Sequence, residues 1–240
     1  MGWHNINNNR SYTGDKMKIY IVIAAYNEEK SIKNVVSTLK EEGYSNIVVI
    51  DDGSKDDTQT ASLNAGATVL RHIINRGQGA ALKTGIDYSL DEGADIIVTF
   101  DADGQHDAKE IKKMIKPIIE KKVDITLGSR FLNQKSNTPL VKRIILKGGI
   151  LFTWLISGIK LTDTHNGFRA LSRNAAEKIE IKQDRMEHAS EIIDEIKRKN
   201  LKYVEVPVTI KYTEYSMQKG QSVFNAIRIA LRMIYKKVMR

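Results

Sequence analysis

Residues 19–53, IYIVIAAYNEEKSIKNVVSTLKEEGYSNIVVIDDG, carry the reading that decides the fold. Ile19–Ala24 is a continuous apolar run, which fits a strand covered on both faces better than one wetted on alternate residues. Lys30–Glu42 then repeats apolar residues at helical spacing through Ile32, Val35, Val36 and Leu39. Asn46–Ile50 returns to a short Val/Ile run and stops at Asp51-Asp52-Gly53. Strand, helix and strand in so short a stretch form a βαβ unit, whose two strands run parallel.

The alternation continues outward. Asp57–Asn64 reads as a helix and Thr68–Ile73 as a strand; Gly79–Glu92 is helical and Asp95–Phe100 a strand ending at Asp101-Ala102-Asp103. Lys109–Glu120 is helical and Asp124–Leu127 a short strand. The fold class is therefore α/β, with a mostly parallel central sheet flanked by helices. Beyond residue 130 the pattern loosens: Leu140–Ser157 and Arg185–Lys199 read as helices, Tyr203–Ile210 as a strand and Ser222–Val238 as a basic helix. No repeat or low-complexity linker interrupts the chain. At 240 residues this is one domain with an appendage: residues 1–16 a flexible polar extension, 17–214 the globular domain and 215–240 a basic amphipathic helix.

Composition narrows the function. With no cysteine, a disulfide scaffold, a thiol nucleophile and a Cys-ligated zinc or iron–sulfur site are excluded. The longest uncharged apolar stretch, Gly148–Ile159, has 12 residues, against about 20 for a membrane span. The net charge of +9 is compatible with nucleic acid, an anionic membrane, phosphorylated substrates or mere solubility.

Ligands of open α/β sheets bind beyond the carboxyl ends of the strands. Three strand ends carry polar clusters: Ala25-Tyr26-Asn27-Glu28, Asp51-Asp52-Gly53-Ser54 and Asp101-Ala102-Asp103-Gly104-Gln105. Gathered carboxylates repel unless a cation or donor sits among them, and hard oxygen ligands select Mg²⁺ or Mn²⁺. One Asp-x-Asp is ordinary turn chemistry; three clusters at successive strand ends are not. Asn75-Arg76-Gly77-Gln78-Gly79-Ala80 offers glycines and a helix N-terminus to an anion. It lacks the spacing of a dinucleotide fingerprint or a P-loop.

The series IAAYNEE, VVIDDGSKDDT, NRGQGAALKTG, FDADGQHD, GSRF and NGFRALSR resembles the family 2 glycosyltransferases of GT-A fold. Within them the likeness is to the dolichyl- or polyprenyl-phosphate sugar synthases, of which dolichyl-phosphate mannose synthase is one. The motifs run in family order from about Ile21 to Ser222. The resemblance implies a nucleotide-diphosphate-sugar donor, a divalent metal, inversion at the anomeric carbon and a lipid-phosphate acceptor. By position it implies that Ala25, Tyr26, Asn27 and Glu28 line the nucleotide pocket and that Asp52 bonds the base or ribose. Gly79, Lys83, Asp101 and Ala102 would flank the donor. Asp101, Asp103 and Gln105 would bind the metal, while Arg130 and Arg169 would contact phosphates. Glu191, 14 residues before Glu205 of the EVPV stretch, matches the family's interior glutamate; with Asp103, Arg130 and Arg169 it makes up the expected catalytic set. It also implies a cytoplasmic enzyme, peripheral on the inner face of the membrane, and leaves open a small membrane-protein partner.

Acceptor chemistry divides the readings. A lipid phosphate is already anionic and requires no strong base. A saccharide hydroxyl, the alternative acceptor, requires one, and Glu191 or Asp163 would be the candidates. The loop Tyr212–Ser222 departs from the mannose synthases, with Lys219 as a substitute cation, so the transferred sugar is open. Asp163, His165, His188 and Lys219 are the acceptor-side candidates; His106, near Asp103, is weighed between a metal or diphosphate contact and a solvated loop residue. No HExxH pattern accompanies the five histidines. Six basic and no acidic residues lie between Arg130 and Lys160, and Arg228, Arg232, Lys236 and Arg240 share one helical face. Such a face adsorbs to anionic lipid or is simply solvated. A nucleic-acid reading would leave the acidic clusters without a use and finds no aromatic basic platform.

Overall fold

The structure, a computed structural model, describes residues 17–132, 158–164 and 166–211. The terminal segments, the helices expected over Leu140–Ser157 and Ser222–Val238, His165 and Lys219 lie outside the described residues.

Seven strands form one sheet in the order β3-β2-β1-β4-β6-β5-β7. They are β1 (Ile19–Ala25), β2 (Asn46–Asp51), β3 (Thr68–Arg71), β4 (Ile96–Asp101), β5 (Ile125–Ser129), β6 (Arg169–Ser172) and β7 (Tyr203–Pro207). All pairings are parallel except those of β6 with β4 and with β5. The described helices are α1 (Glu29–Glu41), α2 (Thr58–Asn64), α3 (Gln78–Asp91), α4 (Ile111–Ile119), α5 (Arg173–Lys178) and α6 (His188–Arg198).

The apolar runs are strands because both of their faces are covered. Ile21, Ile23 and Ala25 of β1 join Val35, Val36 and Leu39 of α1 and Ile111, Met114 and Ile118 of α4. Tyr20 and Val22 face the other way, onto Ala81, Leu82 and Ile86 of α3 and Ile192, Ile193 and Ile196 of α6. Burying a residue such as Ile23 contributes about 2 kcal/mol, and alternate residues do so on each face.

Two elements escaped the sequence reading, β6 and α5. The strand RALS has four residues, too few to display a period of two. Two strands are shorter than their apolar content suggests. β3 ends at Arg71 rather than Ile73, because Ile73 and Ile74 are in solvent. β7 ends at Pro207, although Val208 and Ile210 remain buried in the core.

Register explains how the site assembles. Ala25 pairs with Asp51, and Ala24 with Asp101, so β1, β2 and β4 end level and present their clusters side by side. Antiparallel β6 begins where its neighbours finish: Arg169 lies opposite Thr99 of β4 and Leu127 of β5. Its first residue is thereby delivered to the edge where β4 delivers Asp101.

Candidate active site

At the end of β4, Asp101 Oδ2 accepts from His106 Nε2 at 2.8 Å, and Oδ1 lies 3.4 Å from Gln78 Nε2. His106 is buried, its ring packed at 5.3 Å from Phe100 and 5.0 Å from Phe168. It is neither a solvated loop residue nor a group open to a ligand; it stands behind Asp101. Burial would raise the Asp101 carboxyl, but His106 and the guanidinium groups of Arg169 and Arg130 outweigh it and hold it below the usual range. Asp103 goes the other way, pushed up to about 6 by burial, then by the charges of Asp101 and Glu28. Gln105 donates its backbone N–H to Asp103 Oδ1. Gly167 permits close passage of the chain before β6, since a Cβ there would meet Asp101 Oδ1 at 2.5 Å.

The cationic half comes from β5 and β6. Arg130, just past β5, is buried and bonds Asp163 Oδ2 through Nε at 2.6 Å and through its backbone N–H at 3.2 Å. Asp163 sits on a turn held by Glu205 of β7. That carboxylate accepts from the Thr162 N–H at 2.9 Å, the Thr162 hydroxyl at 2.8 Å and the Asp163 N–H at 3.1 Å. Arg169 is buried; burial lowers its pKa to about 10 against the opposing pull of Asp101 and Asp163, so it stays protonated at neutral pH.

The first two clusters lock the edge rather than face a ligand with every group. Asn27, at φ 54°, takes a left-handed turn that Asn tolerates. Its N–H donates to Ser54 Oγ and its Oδ1 accepts from the Lys55 N–H, each at 2.9 Å, while the Glu28 N–H donates to Thr58 Oγ1 at 2.7 Å. Ala25 and Ala102 are buried, and Tyr26 is exposed. Buried Asp52 bonds His72 Nδ1 at 2.7 Å, the Arg76 N–H at 3.0 Å and the Gly77 N–H at 2.7 Å. Its carboxylate clamps the loop between β3 and α3.

The start of α3 differs from the expected anion cradle. The Ala80 N–H donates to the Asp184 carbonyl at 3.0 Å, and the Gly77 N–H is taken by Asp52. A Cβ at Gly79 would lie 2.0 Å from the Gln183 carbonyl oxygen. Gly79 therefore serves contact between the helix start and residues 183–188. Lys83 pairs with Asp87 one turn on, both half exposed, so its ammonium has a surface partner. Glu191 Oε2 accepts from the Lys182 and Gln183 N–H groups at 3.0 and 2.8 Å, holding the same segment. His188 is buried and donates from Nδ1 to the Arg185 carbonyl at 2.7 Å. Burial, with Arg169 adding to it, lowers its pKa to about 4, so the ring is neutral.

The structure thus brings Asp101, Asp103, Arg130, Arg169 and Asp163 together. His106, Gly167 and Glu205 are the supporting residues; each stands in a stretch that the sequence singles out, FDADGQHD, NGFRALSR and EVPV, but the sequence assigns none of them this role. The profile of Glycosyl transferase family 2 matches residues 20–180, from β1 through α5. The chain is a family 2 glycosyltransferase.

Relatives cover nearly the whole length of this glycosyltransferase. It is 45% identical over 228 residues to an uncharacterized protein of Methanocaldococcus jannaschii, spanning 93% of this chain and 94% of that one. It is 38% identical over 245 residues to the UDP-N-acetylglucosamine–dolichyl-phosphate N-acetylglucosaminyltransferase of Methanococcus voltae, spanning 93% and 97%. An undecaprenyl-phosphate mannosyltransferase of Micrococcus luteus is 27% identical over 232 residues, spanning 90% and 95%. Glucosyl-3-phosphoglycerate synthase of Mycobacterium tuberculosis, solved with UDP, superposes with a TM-score of 0.71 at 17% identity, over 91% of this chain and 78% of that one. That likeness establishes the GT-A fold.

Proposed function

We propose that this glycosyltransferase moves a sugar from a nucleotide-diphosphate donor to a polyprenyl or dolichyl phosphate, with inversion and with Mg²⁺ or Mn²⁺. The observation that carries the reading is the meeting of two buried arginines, Arg130 and Arg169, with Asp101 and Asp103 at one sheet edge. The named activities of the M. voltae and M. luteus relatives support the acceptor class.

The donor set fits a divalent ion. Burial first and the charge of Asp101 second raise the pKa of Asp103, and a hard cation between the two carboxylates relieves both penalties. Among the described residues no group of three or more His, Cys, Asp or Glu side chains is arranged as a complete cage. Mg²⁺ commonly takes only one or two carboxylates and fills its sphere with phosphate and water. A likeness solved with Mg²⁺ and UDP supports the same reading. Asp101 and Asp103 would hold the ion, which when bound neutralises the diphosphate as it departs.

The protein's own groups do the rest. An oxygen of the acceptor phosphate attacks the anomeric carbon from the face opposite the donor diphosphate. The bond to the diphosphate oxygen breaks and its electron pair stays on that oxygen. Arg130 and Arg169 meet the charge that develops there, in a buried setting where guanidinium–phosphate bonds are strong. Asp163 and Glu205 fix Arg130, and His106 fixes Asp101.

The commitments of the carboxylates support a lipid-phosphate acceptor. Asp163 is bound to Arg130, and Glu191 holds two backbone amides. Those were the two candidates for activating a saccharide hydroxyl, and an anionic phosphate acceptor requires neither. Incubation with a panel of nucleotide sugars, Mn²⁺ and polyprenyl phosphate is expected to yield extractable lipid-linked sugar. Glycosylation of a water-soluble saccharide alone would overturn the lipid acceptor. No helix among the described residues is long and apolar enough to cross a membrane, so the lipid must be met at the surface of this domain or through its other segments.

A further inference from the structure

The most exposed large hydrophobic residues among those described are adjacent: Ile73 is 99% and Ile74 68% exposed. Single exposed apolar side chains are commonplace; two neighbours on a tethered loop are a different case. The backbone beneath them is fixed. A Cβ at Gly53, φ 71°, would meet Ile74 C at 2.7 Å and Asn75 N at 2.8 Å, so the loop lies directly on that glycine. Asp52 grips it from below through His72, Arg76 and Gly77. The loop could have turned these side chains onto the sheet, as Val69 does; instead it holds them outward.

Basic side chains flank them. The sequence is Arg71-His72-Ile73-Ile74-Asn75-Arg76, and the side chains of Arg71 and Arg76 are 46% and 52% exposed. Arg71 pairs with Asp51 at 3.3 Å and donates to Gln59 Oε1 and the Ser54 carbonyl, and Arg76 pairs with Asp184 at 3.6 Å, yet each keeps about half its side-chain surface in water. Lys55, on the adjoining loop beside Asp56 and Asp57, is exposed as well. An apolar tip between basic shoulders suits an anionic bilayer, where isoleucines enter the acyl boundary and guanidinium groups meet headgroup phosphates. The loop leaves the carboxyl end of β3, so it lies along the same sheet edge as Asp101 and Asp103.

We infer that Ile73 and Ile74 dock this edge of the enzyme onto an anionic lipid surface, turning the catalytic edge toward the membrane that carries its acceptor. The inference rests on the lipid-phosphate acceptor proposed above, and its test separates the two.

Because the chain contains no cysteine, Ile73→Cys in the full chain gives a single attachment point for an environment-sensitive fluorophore. Leu63→Cys, at the end of α2 on the opposite edge, is the control. With phosphatidylglycerol-containing vesicles, emission from position 73 rises and shifts to the blue while position 63 stays water-like. The double variant Ile73→Ser/Ile74→Ser partitions onto those vesicles about tenfold less, while transfer to a short, water-soluble prenyl phosphate is unchanged. The docking role is overturned if position 73 remains water-like on vesicle-bound protein, if the protein does not bind these vesicles, or if the double variant partitions like wild type. Shielding of position 73 without vesicles would assign the tip to a second copy of the chain and equally overturn it. Absence of transfer to the short acceptor by the wild type would instead sink the proposed function, whatever the probe reports.

Discussion

Two acidic turns, Asp51-Asp52-Gly53 after β2 and Asp101-Ala102-Asp103 after β4, look alike in the sequence and behave as opposites in the fold. The first is bound up within the fold, although Asp51 Oδ2 has an ion-pair neighbour and no hydrogen bond. Asp51 takes the Ser54 N–H and faces Arg71, while Asp52 takes two amides and a histidine. The second holds its conflict at Asp103 alone, since His106, Arg169 and Arg130 keep Asp101 below the usual range against its burial. Asp103 is pushed up to about 6 by burial and by Asp101 and Glu28. A carboxylate whose bonds are all internal stabilises the fold; one held against its neighbours is poised for a cation or substrate. The pair teaches that a strand-end aspartate is assigned by what already surrounds it.

Substitutions can break this contrast, beginning with the largest effect. Arg169→Met removes the buried guanidinium that faces Asp101. It should lower transfer by about 10²–10³-fold, the loss typical of one transition-state charge donor, as measured by lipid-linked product per unit time. Retention of full rate would remove Arg169 from the site. Asp52→Ala strands the Arg76 and Gly77 amides, and equilibrium unfolding should record a loss of about 3 kcal/mol. A stability equal to wild type would show that the β2 turn is not a clamp.

A pH experiment sharpens the picture at His188. Its folded pKa is about 4, against 6.5 for an unperturbed histidine. The unfolded chain therefore binds a proton below pH 6.5 that the folded protein refuses until about pH 4. The sign follows: stability falls as pH drops through this window, by about 2 kcal/mol between pH 7 and 5 from this residue. Denaturant curves at both pH values, for wild type and His188→Asn, should show that increment disappear in the variant. An identical pH slope in the two proteins would mean that His188 is not buried neutral. The smallest effect is expected at Lys83, whose partner Asp87 is half exposed. Lys83→Ala should change stability by less than about 0.5 kcal/mol and leave transfer intact.

Much of this was legible beforehand. Ile19–Ala24 and Asn46–Ile50 announce buried parallel strands because both faces are apolar, and level strand ends make three separate acidic motifs into one edge. What could not be read are contacts between distant segments. Arg169 reaches Asp101 only because a four-residue strand runs antiparallel between β4 and β5. Gly79 looks like part of a phosphate loop until the Gln183 carbonyl is found where its Cβ would be. Glu191, expected in the catalytic set from the family resemblance, has its Oε2 serving two backbone amides. Ile73 passes for strand because apolar composition is blind to whether anything covers it.

The most direct test of the contrast pairs activity with stability in Asp103→Asn. A folded pKa of about 6 against 3.8 unperturbed means the ionised carboxylate is disfavoured in the fold above that range. The amide relieves this, so the metal-free protein should unfold with about 1–2 kcal/mol more stability at pH 7.5. Its transfer of sugar to polyprenyl phosphate with Mn²⁺ should be lost. A variant that transfers at the wild-type rate, or that is destabilised as Asp52→Ala is, would contradict the assignment of this turn as the catalytic one.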